Sequence, residues 1–276
     1  MSISSARIKS GVSLSYLETG NGEEDLVLIH GGLSDFRSWD SQMKPFAQHY
    51  HAVAYSRRSH YPNPWKEYPA GYSVGTERDD LVALIETLEL RTPVHLVGAS
   101  YGGFASALVA RDHPHLVKTL VLAEPPILGV LFDNPDAAPL YRDFRRKVQE
   151  FVVGMFQRGD YEGGLRSYML NVGGRDLDKL PEKVRTAQLQ NARTLLAEVQ
   201  AAEREPFAKE DGRKIRVPTL LLSGEESVPY LRRTAQELSK YLPNSEFVSI
   251  PNTGHSMHSQ NPVEFNRLVL DFLAKY

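Results

Sequence analysis

The chain has 276 residues, 41% hydrophobic and 24% charged, as expected of a globular protein large enough for one domain with an insertion. Its 32 lysines and arginines and 34 aspartates and glutamates give a net charge of −2, which excludes the broad positive field that nucleic acid requires. No cysteine is present, so disulfides and a cysteine nucleophile are excluded. Residues 1–10 lack the apolar run of a signal peptide, and no later run approaches ~18 apolar residues, so with the absence of cysteine we expect a cytoplasmic protein with no membrane partner.

The N-terminal residues show the alternation of apolar and polar side chains that is typical of half-buried strands. Over residues 3–18 the turn residues Lys9-Ser10-Gly11 interrupt this alternation, which predicts a hairpin of two antiparallel strands. The continuous apolar run at residues 26–29 predicts a strand buried on both faces, and a further strand is predicted over His51–Tyr55. A sheet therefore opens with antiparallel strands and continues with buried ones.

Predicted helices and buried strands alternate in the middle of the chain and again at its end. The first alternation is helix, strand, helix, strand at residues 74–90, 94–97, 101–112 and 120–123. The second is strand, helix, strand, helix at residues 217–223, 230–241, 247–250 and 262–274. This order is typical of a mostly parallel, doubly wound α/β sheet.

Three helical patterns with no strand between them separate the two halves, at residues 141–158, 161–171 and 182–203. We therefore predict one α/β core, residues 1–127 and 213–276, interrupted by a helical cap at residues 128–212. Seven aromatic or methionine side chains of the cap either line an apolar pocket or pack the cap on itself: Tyr141, Phe144, Phe151, Met155, Phe156, Tyr168 and Met169.

The segment Gly98-Ala99-Ser100-Tyr101-Gly102 joins a predicted buried strand to a predicted helix. In this context a G-x-S-x-G pattern is typical of a nucleophilic serine on a tight turn, because the glycines let strand and helix approach each other. The alternative is a glycine-rich turn with an incidental serine. We predict that Ser100 is a nucleophile.

Three motifs make the chain resemble the α/β-hydrolase family along nearly its whole length: His30-Gly31-Gly32, the segment around Ser100, and Gly254-His255. The resemblance implies an α/β-hydrolase fold, with His255 as the general base and the N–H groups of Gly32 and Tyr101 as the oxyanion hole. His255 also follows a predicted strand and precedes the last helix. Weaker candidates for the base are His30, His95 and His258.

The acid of such a triad does not stand where this family usually has it. An aspartate commonly follows the strand represented here by 217–223, but the position reads Glu225-Glu226-Ser227, and a serine cannot stabilise an imidazolium. Glu124 directly follows the strand at 120–123, at the edge of the sheet where active sites form. In this feature the chain is similar to certain dehalogenases and to the zearalenone lactone hydrolases. We predict Glu124 as the acid, with Glu226 or Glu225 as the alternative.

Residues 55–62 stand where the family commonly has an Asp-x-Arg-Gly-x-Gly loop, and both glycines are absent. We expect Arg57 to be a structural charge that holds this loop in place. Arg58 and His60 are either paired in the same way or face a substrate, and the former is favoured because most such charges are solvated or paired. The sequence assigns no chemical role to these three residues.

These residues predict a serine hydrolase that cleaves a small to medium carboxylic ester or lactone through an acyl-enzyme, with an apolar ester-like small molecule as its partner. No cofactor and no metal are expected. The same triad supports amide cleavage, carbon–carbon bond hydrolysis and perhydrolysis, and a slow-turnover ligand receptor on a hydrolase scaffold is a further alternative. Because the nucleophile is a serine and not an aspartate, dehalogenase and epoxide hydrolase chemistry is disfavoured.

Overall fold

One sheet runs through the described part of the chain, which in this computed structural model comprises residues 2–132, 134–201 and 204–276. Its strands are β1 (Ser4–Arg7), β2 (Ser13–Thr19), β3 (Asp25–Ile29), β4 (His51–Tyr55), β5 (Val94–Ala99), β6 (Val117–Ala123), β7 (Thr219–Gly224) and β8 (Ser245–Ile250). They lie in the order β1-β2-β4-β3-β5-β6-β7-β8. Strand β2 is antiparallel to β1 and β4, and the other pairs are parallel. The predicted mostly parallel α/β sheet with an antiparallel start is confirmed.

Helices cover both faces of this sheet. They are α1 (Asp40–Phe46), α2 (Val74–Thr87), α3 (Tyr101–Asp112), α4 (Ala138–Phe144), α5 (Phe151–Gln157), α6 (Tyr161–Gly173), α7 (Glu182–Gln190), α8 (Leu195–Ala201), α9 (Lys209–Lys214), α10 (Pro229–Ser239), α11 (Met257–Gln260) and α12 (Pro262–Leu273). Helix α1 has no counterpart among the predicted helices, because it is short and contains Pro45. Within the described residues, no helix combines the length and apolarity needed to cross a membrane.

The central strand β3 shows how the sheet divides the core into two layers. All five of its residues are buried, as the continuous apolar run predicts. Leu26 and Leu28 belong to the layer that contains the apolar side chains of α1 and α12. Val27 and Ile29 belong to the opposite layer, together with side chains of α2 and α3. The alternation of side chains along a strand therefore distributes one apolar run between two cores.

The segment between β6 and β7 is helical, as the sequence predicts. Helices α4 and α5 form one continuous element through a π-helical stretch at Arg145–Glu150, within the predicted helix 141–158. Helix α9 ends at Lys214, two residues beyond the predicted end of the cap at residue 212. We refer to residues 128–212 of this segment as the helical insertion.

The prediction of one helix over residues 182–203 is wrong within the part of it that the structure describes, residues 182–201. Helix α7 ends at Gln190, a 3₁₀ turn follows at Ala192–Thr194, and α8 begins at Leu195. The break lies at Asn191, which is 1% exposed. Its Oδ1 accepts a hydrogen bond from the Tyr61 N–H at 2.8 Å, and its Nδ2 donates to Asp35 Oδ2 at 2.8 Å. Contacts with the core therefore override a helical pattern that continues on both sides.

Strand β5 and helix α3 approach each other closely where Gly98 faces Gly103. A methyl group added to Gly98 would lie 2.6 Å from Gly103 Cα and 2.8 Å from the Gly102 carbonyl oxygen, both of which are backbone atoms. A strand and a helix joined by a tight turn cannot separate without moving that turn. Gly98 is therefore required by the distance between the two elements.

We expect Gly98→Ala to lower the free energy of unfolding by about 1–3 kcal/mol, the range for a methyl group forced into a packed core. The matched control is Gly154→Ala in α5, where the added methyl meets only the end of the flexible Arg158 side chain, at 3.2 Å. That variant should be unchanged, or more stable by about 0.5–1 kcal/mol. Urea denaturation measures both, and equal stability of the two variants would contradict the close-approach argument.

Candidate active site

Ser100 occupies the turn between β5 and α3. Its backbone has φ +50° and ψ −122°, a conformation that non-glycine residues rarely adopt. The Ser100 N–H donates to the Ala123 carbonyl oxygen at 2.8 Å, and the Ser100 carbonyl oxygen accepts from the Phe104 N–H at 3.0 Å. Both bonds are made by backbone groups, so the strained turn is held without the use of the side chain. Ser100 lines a cavity of about 300 Å³.

His255 and Glu124 meet beside the same cavity. His255 lies between β8 and α11 and lines the cavity together with Ser100. Its Nδ1 donates to Glu124 Oε2 at 2.8 Å. Because an ionised carboxylate only accepts hydrogen bonds, Nδ1 carries the proton and Nε2 is left as the acceptor when the ring is neutral. The ring is thus oriented as a general base requires.

Glu124 follows β6 and is completely buried. Besides His255, three groups of the β7 exit donate to it: Ser223 Oγ at 2.7 Å, the Gly224 N–H at 3.0 Å and Ser227 Oγ at 2.6 Å. Ser227 is the residue that stands where the family usually has its aspartate. In this structure it donates a hydrogen bond to Glu124, the carboxylate that follows the neighbouring strand.

The electrostatics of Glu124 favour its charged form. Burial disfavours the charge, but the hydrogen bond and positive field of His255, with the bonds from Ser227 and Ser223, outweigh this and hold the Glu124 pKa below its usual value. The side chains of Glu225 and Glu226, the alternative candidates, are exposed to solvent. Of these three carboxylates, the one bonded to His255 is Glu124.

The two backbone groups expected to form an oxyanion hole flank Ser100. Tyr101 is the first residue of α3, where a helix leaves its N–H groups without intrahelical partners. Gly32 follows β3 and lines the cavity, and a methyl group on its neighbour Gly31 would come within 3.0 Å of Ser100 Cβ. Both segments therefore lie next to the serine.

The other histidines predicted as weaker candidates have different surroundings. His30 and His95 are buried; His30 contacts Gly31 and Arg57, whereas His95 bonds Thr119 and Glu24. His258 lines the cavity, but its Nδ1 has no partner among the described residues, and its ring packs 4.8 Å from that of Trp39. Burial, together with the positive field of His255, lowers the pKa of His258 to about 4.

Arg58 and His60 are paired, as the sequence favours. Arg58 forms a bidentate ion pair with Asp80, with both distances at 2.6 Å. His60 is completely buried, and its Nε2 lies 2.9 Å from Glu198 Oε1. Arg57 is also completely buried, in contact with Glu198 and with the segment around His30. Glu198 was not predicted, because nothing in a helical pattern distinguishes a buried glutamate from an exposed one.

Residues of the helical insertion complete the cavity wall. Of the seven predicted aromatic and methionine candidates, Tyr168 and Met169 line it. Phe144 and Phe156 instead belong to the apolar core, and Phe151 is half exposed. Helix α7 adds residues that the sequence did not indicate as cavity residues: Lys183, Val184, Ala187 and Gln188. The charged side chains in the wall are those of Asp35, Arg37, Asp40 and Lys183.

Comparison with known proteins places the chain among enzymes. The chain is 29% identical over 259 residues to a non-heme chloroperoxidase from Streptomyces lividans, a match that covers 90% of this chain and 91% of that protein. It is 26% identical over 282 residues to the bifunctional esterase/perhydrolase DCH of Acinetobacter calcoaceticus, covering 96% and 97%. Among solved structures, a hydrolase from Pseudomonas aeruginosa has the same fold, with a TM-score of 0.78, 22% identity and 98% coverage of each chain.

The family model described as the alpha/beta hydrolase family matches residues 26–268. This match extends from β3 into α12 and includes Ser100, Glu124 and His255. The resemblance first seen in three short motifs is thereby confirmed over most of the chain. The protein belongs to the alpha/beta hydrolase family and is an enzyme of that family.

Proposed function

We propose that the protein is a serine hydrolase that cleaves small to medium carboxylic esters or lactones through an acyl-enzyme, with Ser100, His255 and Glu124 as its triad. The observation that carries this proposal is the 2.8 Å hydrogen bond from His255 Nδ1 to the buried Glu124, at a cavity that Ser100 also lines. It orients a base and supplies the charge that stabilises the base when it is protonated.

The proposed mechanism has two steps. In the first, His255 Nε2 takes the proton of Ser100 Oγ as the oxygen attacks the substrate carbonyl, and the N–H groups of Gly32 and Tyr101 stabilise the resulting oxyanion. His255 then gives the proton to the leaving alcohol. In the second step, water attacks the acyl-enzyme with His255 again as base, which releases the acid and regenerates Ser100. The protein's own groups suffice for this chemistry.

The cavity supports a substrate of modest size with an apolar acyl group. Its volume is about 300 Å³, and Met169, Val172 and Val184 of the insertion contribute apolar side chains to its wall. We propose that the insertion, residues 128–212, serves as a cap over Ser100 and selects the acyl group. Perhydrolysis is a second candidate, because two similar proteins are named as a chloroperoxidase and an esterase/perhydrolase. In that reaction hydrogen peroxide replaces water in the second step.

The first test measures p-nitrophenol release from acetyl to octanoyl esters by the wild type and by Ser100→Ala. We expect turnover that the substitution abolishes, with a preference for the shorter acyl chains that a cavity of this size admits. Peracid formation in the presence of hydrogen peroxide distinguishes the perhydrolase. Turnover that persists in Ser100→Ala would overturn the serine mechanism. Slow or absent turnover by the wild type would favour amide or carbon–carbon bond substrates, or a receptor.

The acid is tested by comparing Glu124→Gln with Glu226→Gln. The amide at position 124 keeps the shape of the side chain but removes the charge that stabilises the His255 imidazolium, so kcat should fall on the order of 10⁴-fold. The Glu226 side chain is exposed, and its substitution should leave kcat within about twofold of the wild type. If kcat is retained in Glu124→Gln and lost in Glu226→Gln, the assignment of Glu124 as the acid is wrong.

The base is tested by comparing His255→Asn with His258→Asn. Both histidines line the cavity, but only His255 is bonded to Glu124, so turnover should be lost in His255→Asn and retained in His258→Asn. Loss of activity in His258→Asn with normal activity in His255→Asn would show that His258, and not His255, is the base.

His258 should also contribute to the pH dependence of stability. Its pKa of about 4 in the folded protein lies below the ~6.5 of an unfolded chain, so the unfolded state binds more protons between these values. The free energy of unfolding should therefore fall as the pH drops from about 6.5 towards 4. Between pH 7 and pH 5 the fall should be smaller in His258→Asn by roughly 1–2 kcal/mol, as measured by urea denaturation. If the free energy of unfolding falls equally in the wild type and in His258→Asn between pH 7 and pH 5, the lowered pKa of His258 is contradicted.

A further inference from the structure

A cluster of buried ionisable side chains lies between the helical insertion and the segment that follows β3. It comprises Arg57, Glu77, His60 and Glu198, and each of these side chains is at most 3% exposed. Removing charges from water is costly unless they are paired. Arg57 is the centre of the cluster, with its guanidinium 2.5 Å from Glu198 Oε1 and 3.3 Å from Glu77 Oε1. The proposed mechanism uses none of these groups.

Arg57 bonds directly to the segment that precedes Gly32. Its Nε donates to the His30 carbonyl oxygen and its Nη2 to the Gly31 carbonyl oxygen, each at 3.1 Å. Its backbone N–H donates to His30 Nε2 at 2.9 Å, which leaves the proton of the neutral ring on Nδ1. That Nδ1 donates to the same Gly31 oxygen at 2.7 Å. Two donors therefore hold the Gly31 carbonyl in one orientation.

The orientation of the Gly31 carbonyl determines that of the Gly32 N–H. The two groups belong to one planar peptide unit, which is trans, so they point in opposite directions. A Gly31 carbonyl held towards Arg57 and His30 directs the Gly32 N–H away from them. The guanidinium of Arg57 also lies over the ring of Tyr101, 4.8 Å from its centre. One side chain thus contacts both segments that supply the oxyanion hole.

Glu198 connects this arrangement to the helical insertion, because it lies on α8. Its Oε1 accepts from Arg57 and His60, at 2.5 and 2.9 Å. Its Oε2 has no hydrogen-bond partner among the described residues and lies against Gly32, where an added methyl group would be only 2.9 Å away. Burial opposes its charge, but the fields of Arg57 and His60 hold the Glu198 pKa below its usual value. The carboxylate therefore fixes Arg57 on one side and contacts Gly32 on the other.

We propose that Glu198 and Arg57 are positioning residues that hold the Gly31–Gly32 peptide with its N–H towards Ser100, and so couple the insertion to the oxyanion hole. This inference rests on the proposed serine hydrolase function. It predicts that weakening the pair impairs stabilisation of the tetrahedral intermediate more than binding of the planar substrate. Such an effect appears in kcat rather than in KM.

The test uses Glu198→Gln and Arg57→Lys. The matched control is Arg58→Lys, because Arg58 pairs with Asp80 and, within the described residues, forms no hydrogen bond with the Gly31–Gly32 peptide. Active serines are counted with a fluorophosphonate, so that kcat refers to folded sites. We expect kcat to fall about 10- to 100-fold in Glu198→Gln and Arg57→Lys. This is less than the roughly 10²- to 10³-fold loss of kcat on removal of a whole oxyanion donor. KM should stay within about threefold of the wild-type value. Arg58→Lys should keep the wild-type kcat.

A second measurement separates positioning from a merely structural role. Phenylboronic acid adds to a serine oxygen to give a tetrahedral boronate, whereas the carboxylate product of ester cleavage is planar. Affinity for phenylboronic acid should fall in parallel with kcat, and affinity for the planar carboxylate should not. Variants that melt at lower temperature but keep both kcat per active serine and boronate affinity would overturn the inference. If Arg57→Lys does not fold, the isosteric Glu198→Gln variant decides the question.

Failure of the proposed function gives a different result. In that case the wild type neither hydrolyses esters nor binds phenylboronic acid through Ser100. If the wild type does both, Ser100→Ala does neither, and Glu198→Gln matches the wild type, then only the coupling is wrong.

Discussion

The strained turn at Ser100 is the constraint on which the rest of the site depends. Ser100 has a φ of +50° and lines the cavity, and its turn is held by the short distance between β5 and α3. The same geometry starts α3 at Tyr101 and so leaves that N–H beside the serine. The strand exit, the helix start and the position of Ser100 are therefore consequences of one tight connection, which requires glycine at position 98, while Gly102 lets α3 approach the backbone at the end of β3.

The carboxylate partner of His255 can follow either of two neighbouring parallel strands, β6 or β7. Strands β6 and β7 are paired, so their carboxyl ends meet at the same edge of the sheet. A carboxylate that leaves either strand can therefore lie beside His255. Here it comes from β6 as Glu124, with φ +45°, and the β7 exit contributes donors from Ser223, Gly224 and Ser227 instead of an acid. The carboxylate thus follows β6, and groups at the end of β7 stabilise it by hydrogen bonds.

The helical insertion is joined to the core by polar contacts as well as by apolar packing. Asn191 and Glu198 are both buried, on opposite sides of the 3₁₀ turn that separates α7 from α8. Asn191 bonds to the segments around Asp35 and Tyr61, and Glu198 bonds to Arg57 and His60. Buried polar groups of this kind favour one arrangement, because an unpaired partner is costly. These contacts thus hold the proposed cap in a fixed position relative to Ser100.

Local patterns in the sequence determined the sheet, most of its helices and the turn at Ser100, because a strand, a helix or a tight turn is encoded within a few neighbouring residues. The resemblance to the hydrolase family implied His255 as the base and limited the candidates for the acid to Glu124, Glu225 or Glu226. Only the tertiary structure showed which carboxylate meets His255, why Asn191 interrupts a helix, and that Glu198 reaches Arg57. The partners in the first and third of these contacts are 131 and 141 positions apart. Periodicity describes which face of an element is buried, and it carries no information about which distant side chain lies opposite.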